Sequence, residues 1–225
     1  MQIDQLRIGN KYSFDDFGAS VKERAISAPP KKSIKETVPF SNVTHDFSKI
    51  NGEVYWEERE LEYDFEILAD TPEDLEAKKR AFSNWVMNVM NEEIYDPFET
   101  GWHYLGTFDD IDYEDEETLD KTTISVMFTA YPYKLANNPT VYTLVIPASS
   151  EISGMIENDS SHRISPTLDC SGAITLQVNG ASYSMTAGKV QDDALMLQTG
   201  KNILRIQNPN NTDCVLTVTF VREVF

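Results

Sequence analysis

The sequence predicts a mainly β protein with one helix, in two parts: an α+β region over residues 1–133 and an all-β sandwich over residues 140–225. Three observations predict it. Within the stretch Arg59–Leu68, residues 60–67 alternate acidic and apolar residues without a break. One segment, beginning at Thr71-Pro72, carries both a helix start signal and a helical apolar period. After Pro139 only short apolar runs at close spacing remain, divided by turn residues.

Residues 1–50 mix short apolar runs with turn formers. Ala28-Pro29-Pro30-Lys31-Lys32 reads as an extended connector, because each proline excludes the helical region for its predecessor. It leads into an expected strand near Ser33–Val38. In Arg59–Leu68, Leu61, Tyr63, Phe65 and Ile67 form one face, and Glu60, Glu62, Asp64 and Glu66 the other. The first face is expected to be buried and the second wet. The helix is expected near residues 72–93. Thr71 is the N-cap, Pro72 takes the first helical position, and Glu73 and Asp74 suit the positive end of the dipole. Leu75, Phe82, Trp85, Val86, Val89 and Met90 make its apolar stripe, with Lys78, Lys79 and Arg80 mainly off it.

Strands then resume at Tyr104–Phe108 and Thr122–Ala130, the second with Ile124, Val126, Phe128 and Ala130 on one face. The acidic run DDIDYEDEETLD between them reads as a long hairpin connection. Tyr131-Pro132-Tyr133 ends the strand, since proline cannot donate to a central ladder, and residues 134–139 read as a linker. The last third is expected to hold strands at Val141–Ile146, Ile174–Val178, Tyr183–Met185, Leu195–Leu197, Ile203–Ile206 and Val215–Val221. Asn179-Gly180 and Thr199-Gly200-Lys201-Asn202 are read as turns.

Charge excludes one function class. Of the net charge of −18, residues 1–139 carry 29 acids against 14 bases, and residues 140–225 carry 8 against 5. Such a chain repels DNA phosphates, so sequence-reading DNA binding is not expected. No stretch approaches the ~20 apolar residues of a membrane span. MQIDQLRIGNKYSF lacks the layout of a signal peptide, so synthesis and assembly are expected in the cytoplasm. Cys170 and Cys214, both in apolar runs, read as two buried thiols in preference to a disulfide.

Motif by motif, the case for a reaction centre is thin. A calcium loop starting at Asp110 would place Asp112 and Glu114 correctly, but Asp115 stands where glycine is needed and Lys121 where a bidentate glutamate is needed. His45, His103 and His162 are far apart and in no zinc-binding spacing. No nucleophile elbow, phosphate loop or dinucleotide fingerprint is present. Paired carboxylates for glycoside hydrolysis could be drawn from 37 acids, and that abundance is what empties the signal. No catalytic, metal or cofactor-binding residue is therefore assigned, and no cofactor is expected. Sugar binding is the more serious rival. It favours an exposed aromatic platform, tryptophan above all. Trp56, Trp85 and Trp102 all lie in the first part; the second offers Tyr142, Tyr183, Phe225 and Phe220, the last of which reads as core.

The order of these segments resembles a known family. APPKKSIKETVPF, YWEERELEYDFEILAD, LEAKKRAFSNWVMNVMN, Ile94-Tyr95-Asp96, Tyr104–Phe108 and VMFTAYPYK follow one another as in the distal tail proteins (Dit) of long-tailed siphophages and of prophages in Gram-positive hosts. The likeness covers residues of about 25–135. ISPTLDCSG, the Asn-Gly hairpin and LQTGKNILRI are similar, by strand texture, to the galectin- or carbohydrate-module-like sandwich that follows in that family.

The resemblance implies a virion structural protein and no enzyme. It implies a homo-hexameric ring at the tail tip or baseplate, built by the first domain, with the second projecting outward. The implied neighbours are the tail tube protein, the tail-tip or tail-associated lysin protein and, in phages with a baseplate, receptor-binding proteins. DNA would pass through the channel without specific binding. The charge imbalance then suggests an acidic lumen, with Asp109–Asp120 as a candidate lining. A glycan-binding adhesin acting through the C-terminal sandwich is the alternative.

Overall fold

A computed structural model describes residues 4–37, 40, 44–48, 54–115 and 120–225 of the chain. It divides into two compact units, residues 1–134 together with Phe225, and residues 135–224.

The first unit contains β1 (Arg7–Ile8), β2 (Lys11–Tyr12), α1 (Ser13–Phe17), β3 (Ala19–Ile26), β4 (Lys35–Thr37), β5 (Thr44–Asp46), β6 (Arg59–Leu68), α2 (Pro72–Val86), β7 (Glu92–Tyr95), β8 (Trp102–Asp115) and β9 (Lys121–Ala130). Its main sheet runs β2-β1-β7-β8-β9-β6-β3, and β4 pairs with β5 separately. Strand β6 has the expected bounds, and Leu61, Tyr63, Phe65 and Ile67 on its inner face are all fully buried. Opposite them Ile124, Val126 and Phe128 of β9 are equally buried, with Ala130 at 1%. The sheet closes over α2, whose Leu75, Phe82 and Val86 complete the core.

Helix α2 starts as expected, the Thr71 hydroxyl accepting from the Asp74 amide at 3.2 Å. It ends at Val86 instead of near residue 93. Asparagines at 84, 88 and 91 explain the stop: Asn88 Nδ2 donates back to the Asn84 carbonyl at 2.6 Å, and Asn91 adopts a left-handed φ of 53°. Val89 is still buried, but Met90 is 77% exposed and leaves the stripe.

A second, five-residue helix, α1, was not expected. Asp15 and Asp16 lie in its first turn, and Gly18 caps it at φ 74°, its N–H bonded to the Phe14 carbonyl. Five residues are too few for a helical period to show. The strand expected near Ser33–Val38 is β4, with Val38 outside the described residues.

The acidic run is largely strand, contrary to the hairpin connection expected. Strand β8 extends to Asp115 and pairs with β9 as far as Asp115↔Thr122, with a bulge between Phe108 and Asp110. Residues 116–119 lie outside the described residues. The cause is alternation hidden among the acids: Ile111 packs on the core, and Tyr113 hydrogen-bonds the Ser83 hydroxyl of α2 at 2.9 Å. Strand β9 ends before Tyr131-Pro132-Tyr133, as read.

The next strand is β10 (Lys134–Ala136), where a linker was expected. The second unit continues with β11 (Thr140–Ile146), β12 (Ser150–Asn158), β13 (Thr167–Cys170), β14 (Ile174–Val178), β15 (Ala181–Met185), β16 (Gly188–Gln191), β17 (Gly200–Asn208), β18 (Cys214–Phe220) and β19 (Glu223–Val224). Two four-stranded sheets, β11-β18-β13-β16 and β12-β17-β14-β15, share one apolar core. Asn179 and Gly180 make the expected β14–β15 turn, both at positive φ (51° and 91°).

Leu195–Leu197 is not a strand. Leu197 makes one isolated bridge to Ile164, and the Asp192 side chain and carbonyl hold a turn by accepting from the Ala194 and Leu195 amides. Both leucines are nonetheless core. Thr199–Asn202 is correspondingly not a hairpin turn, since Gly200–Asn202 begin β17.

Candidate functional site

The most strongly marked surface of the first unit is the outer face of its sheet. Glu60, Glu62, Asp64 and Glu66 of β6 point away from the core by the two-residue period that buries their neighbours. Their β9 neighbours are uncharged: Thr129, Met127, Ser125 and Thr123. Beyond β9, β8 presents Asp110, Asp112 and Glu114 in register with Met127, Ser125 and Thr123. On the other side of β6, Glu23 of β3 stands opposite Asp64. The result is two lanes of carboxylates divided by the uncharged residues 123–129 of β9, with Lys121 at the start of that strand. Lys121 pairs with Glu66 at 2.7 Å, and Ser125 Oγ donates to Asp64 Oδ1 at 2.5 Å. This arrangement repels polyanions and offers no convergent ligand set. Side chains two residues apart on one strand sit about 6.6 Å apart, too far for Asp110, Asp112 and Glu114 to close on one cation. Among the described residues no cluster of three or more His, Cys, Asp or Glu could hold a metal ion.

Behind the sheet is a buried polar network that composition and spacing did not signal. The Asp96 side chain is wholly buried and pairs with Arg24 Nη1. It also accepts from the Tyr63 hydroxyl at 3.0 Å and from the Phe98 amide at 2.8 Å. Burial, then the neighbouring Asp96, pushes Tyr63 well above an ordinary tyrosine pKa. Burial opposes the charge on Arg24, but its hydrogen bond and ion pair with Asp96 leave it raised. The Arg24 guanidinium also lies 4.7 Å from the centre of the Phe98 ring. In the sequence Asp96 stands out only as part of Ile94-Tyr95-Asp96.

A cleft of ≈ 370 Å³ lies nearby, walled by Ile26, Pro29, Trp56 and Phe225, with Arg59, Tyr104, Glu99 and Lys134 also lining it. Phe225 packs edge-on against Trp56 (4.8 Å between centroids) and lies tilted by 35° against Tyr133 at 4.9 Å. Burial lowers the pKa of Arg59 and pushes Tyr104 up to about 12.

The remaining residues weighed from sequence disperse. Trp85 stacks on Phe17 at 4.7 Å inside the α1–α2 contact, so it is packing and not platform. His103 is buried against Tyr95, and His162 lies 3.2 Å from Glu223. The side chain of His45 lies outside the described residues. Cys170 and Cys214 are buried free thiols, as read, and burial raises the Cys170 pKa. In the second unit Phe220 is core, and Tyr142 stacks on it. Tyr183 lines a ≈ 300 Å³ cleft with Ser182, Ser184, Asp192 and Leu168, its hydroxyl donating to the Ala194 carbonyl.

Neither a protein-family model nor a curated protein matches the chain. Solved structures do. The crystal structure of the phage SPP1 Dit protein, described as a paradigm of the hub adsorption apparatus in phages infecting Gram-positive hosts, superposes with a TM-score of 0.70. The match has 14% identity and covers 98% of this chain and 99% of that one. The phage P2 baseplate in its activated conformation with calcium matches over 97% and 98% of the two chains at 10% identity, with a TM-score of 0.39. Over 98% of its length, the chain shares the fold of a phage Dit hub protein.

Proposed function

We propose that the chain is a structural hub protein of a long-tailed phage or prophage tail tip, and that it performs no catalysis. The observation that carries this is the end-to-end likeness to a Dit hub protein, both units included, with almost nothing unmatched on either side. In this reading residues 1–133 build a homo-hexameric ring, and the sandwich over residues 140–225, galectin-like in character, projects outward. Such a ring needs a heterologous surface that closes on itself and no pocket chemistry. Its neighbours would be the tail tube protein, the tail-tip protein and receptor-binding proteins. The protein would pass through the host cytoplasm during assembly and reside in the virion tail tip.

The two-lane acidic face supports a lumenal role, since a wall of carboxylates lets DNA pass without adhering. Negative-stain imaging of the purified chain across concentrations tests the proposal: six-fold rings with an open centre are expected. Compact monomers throughout, joined by glycan-dependent stabilisation, would favour the second reading, an adhesin using the Tyr183 cleft of the sandwich.

A further inference from the structure

We infer that the cleft beneath Trp56 is a docking site for an acidic, apolar-flanked peptide segment of a partner protein. Its volume of ≈ 370 Å³ is at the small end of ligand pockets, suited to one or two side chains. Its walls are apolar and rigid: Pro29 has a fixed backbone, and Trp56 and Phe225 brace each other edge to face.

The charge inside is opposite to the charge outside. Two cations, Arg59 and Lys134, meet one acid, Glu99, and Lys134 Nζ already binds Glu99 at 3.3 Å. Arg59 shares the field of Glu99 and lies 5.7 Å from the centre of the Tyr104 ring, but one of its donors is unanswered. The residue is only 4% exposed, and its Nε has no hydrogen-bond partner among the described residues. A buried guanidinium with an unanswered donor is costly, and a ligand carboxylate supplies what it lacks. The surrounding sequence is strongly acidic, 29 acids to 14 bases over residues 1–139, so an isolated positive cleft selects its partner by charge. The apolar walls add a requirement for an aromatic or aliphatic neighbour. A carboxylate beside an apolar side chain on one extended peptide meets both demands. This inference does not depend on ring formation.

The test uses the isotope-labelled 225-residue chain and two capped dipeptides, N-acetyl-Asp-Phe-amide and its neutral counterpart N-acetyl-Asn-Phe-amide, followed by NMR at the Ala28, Trp56 and Arg59 amides. The acidic peptide is expected to move these signals and to bind about tenfold more tightly than the neutral one, as a charged hydrogen bond predicts. Arg59→Met should equalise the two peptides, and amide signals unchanged away from the cleft will show that the fold is kept. Trp56→Leu should weaken both peptides alike. The inference is overturned if neither peptide moves the cleft signals at millimolar concentration, or if both bind equally to the unaltered chain. It is also overturned if Arg59→Met retains the preference. Inorganic phosphate shifting the same amides as strongly as the peptide would replace it with a simple anion site.

Discussion

The Tyr63 hydroxyl donates a 3.0 Å hydrogen bond to Oδ2 of Asp96, the oxygen that also pairs with Arg24. One buried carboxylate thus ties β3, β6 and the segment after β7 together. Asp96→Ala is expected to destabilise the first unit by about 3 kcal/mol, because it strands the Tyr63 hydroxyl, the Phe98 amide and a cation. All three tryptophans lie in this unit, so fluorescence-monitored urea unfolding reads it selectively.

The same burial makes the first unit sensitive to alkali. Tyr63 and Tyr104 have folded pKa values above the ordinary 10.0, Tyr104 at about 12 and Tyr63 well above its reference. The folded state holds these protons more tightly than the unfolded chain does. Their contribution is therefore whole below pH 10 and is lost as pH rises toward 12 and beyond. Tryptophan-detected stability should fall across that window. Tyr63→Phe with Tyr104→Phe should flatten the fall, and an unchanged slope would rule out these two groups as its source.

Salt should act in the opposite direction. The carboxylate lanes on β6 and β8 repel across one strand, and a screening length of about 10 Å at 0.1 M salt is comparable with their spacing. The urea midpoint of the first unit is expected to rise with sodium chloride. Glu62→Gln with Asp112→Asn should reduce that rise. Exposed as both acids are, neither change should cost stability.

In the helix, Phe82→Ala should cost about 3–5 kcal/mol, since Phe82 is fully buried between Phe65 and Trp85. Met90→Ala should stay within about 0.5 kcal/mol, being solvent-facing. Thermal unfolding of the two variants side by side distinguishes a stripe that ends at Val89 from one that continues.

The sandwich has its own test. Asn208 is 1% exposed, and its amide donates to the carbonyls of Ile146, Pro147 and Thr212. Asn208→Ala should destabilise the second unit by about 2–3 kcal/mol, leaving buried acceptors without donors. Both cysteines are buried in this unit, so the rate of thiol labelling under native conditions should rise with the loss.

How much of this was legible in the sequence depended on periodicity. Strand β6 was readable because every second residue is apolar, and the start of α2 because Thr71-Pro72 states it chemically. Strand β12 was missed because Gly154 and the 55%-exposed Met155 interrupt its alternation. Strand β8 was cut short because its acids outnumber the Ile111 and Tyr113 that hold it to the core. The acidic β6 face was readable in place, but its second lane required the β8–β9 register. The Arg24–Asp96–Tyr63 network and the Arg59 cleft join residues tens of positions apart, and no local pattern encodes such a meeting.

Phe225 belongs to the first unit although the whole of residues 135–224 precedes it, and within the second unit the Ala136 amide bonds the Arg222 carbonyl at 2.9 Å. Entrance and exit of the sandwich are therefore neighbours. With entrance and exit adjacent, the outer strands of the sandwich can vary in length without changing where the chain enters and leaves it. Only after residues 135–224 have been synthesised can the aromatic trio of Trp56, Tyr133 and Phe225 form, so this contact of the first unit waits on the synthesis of the second.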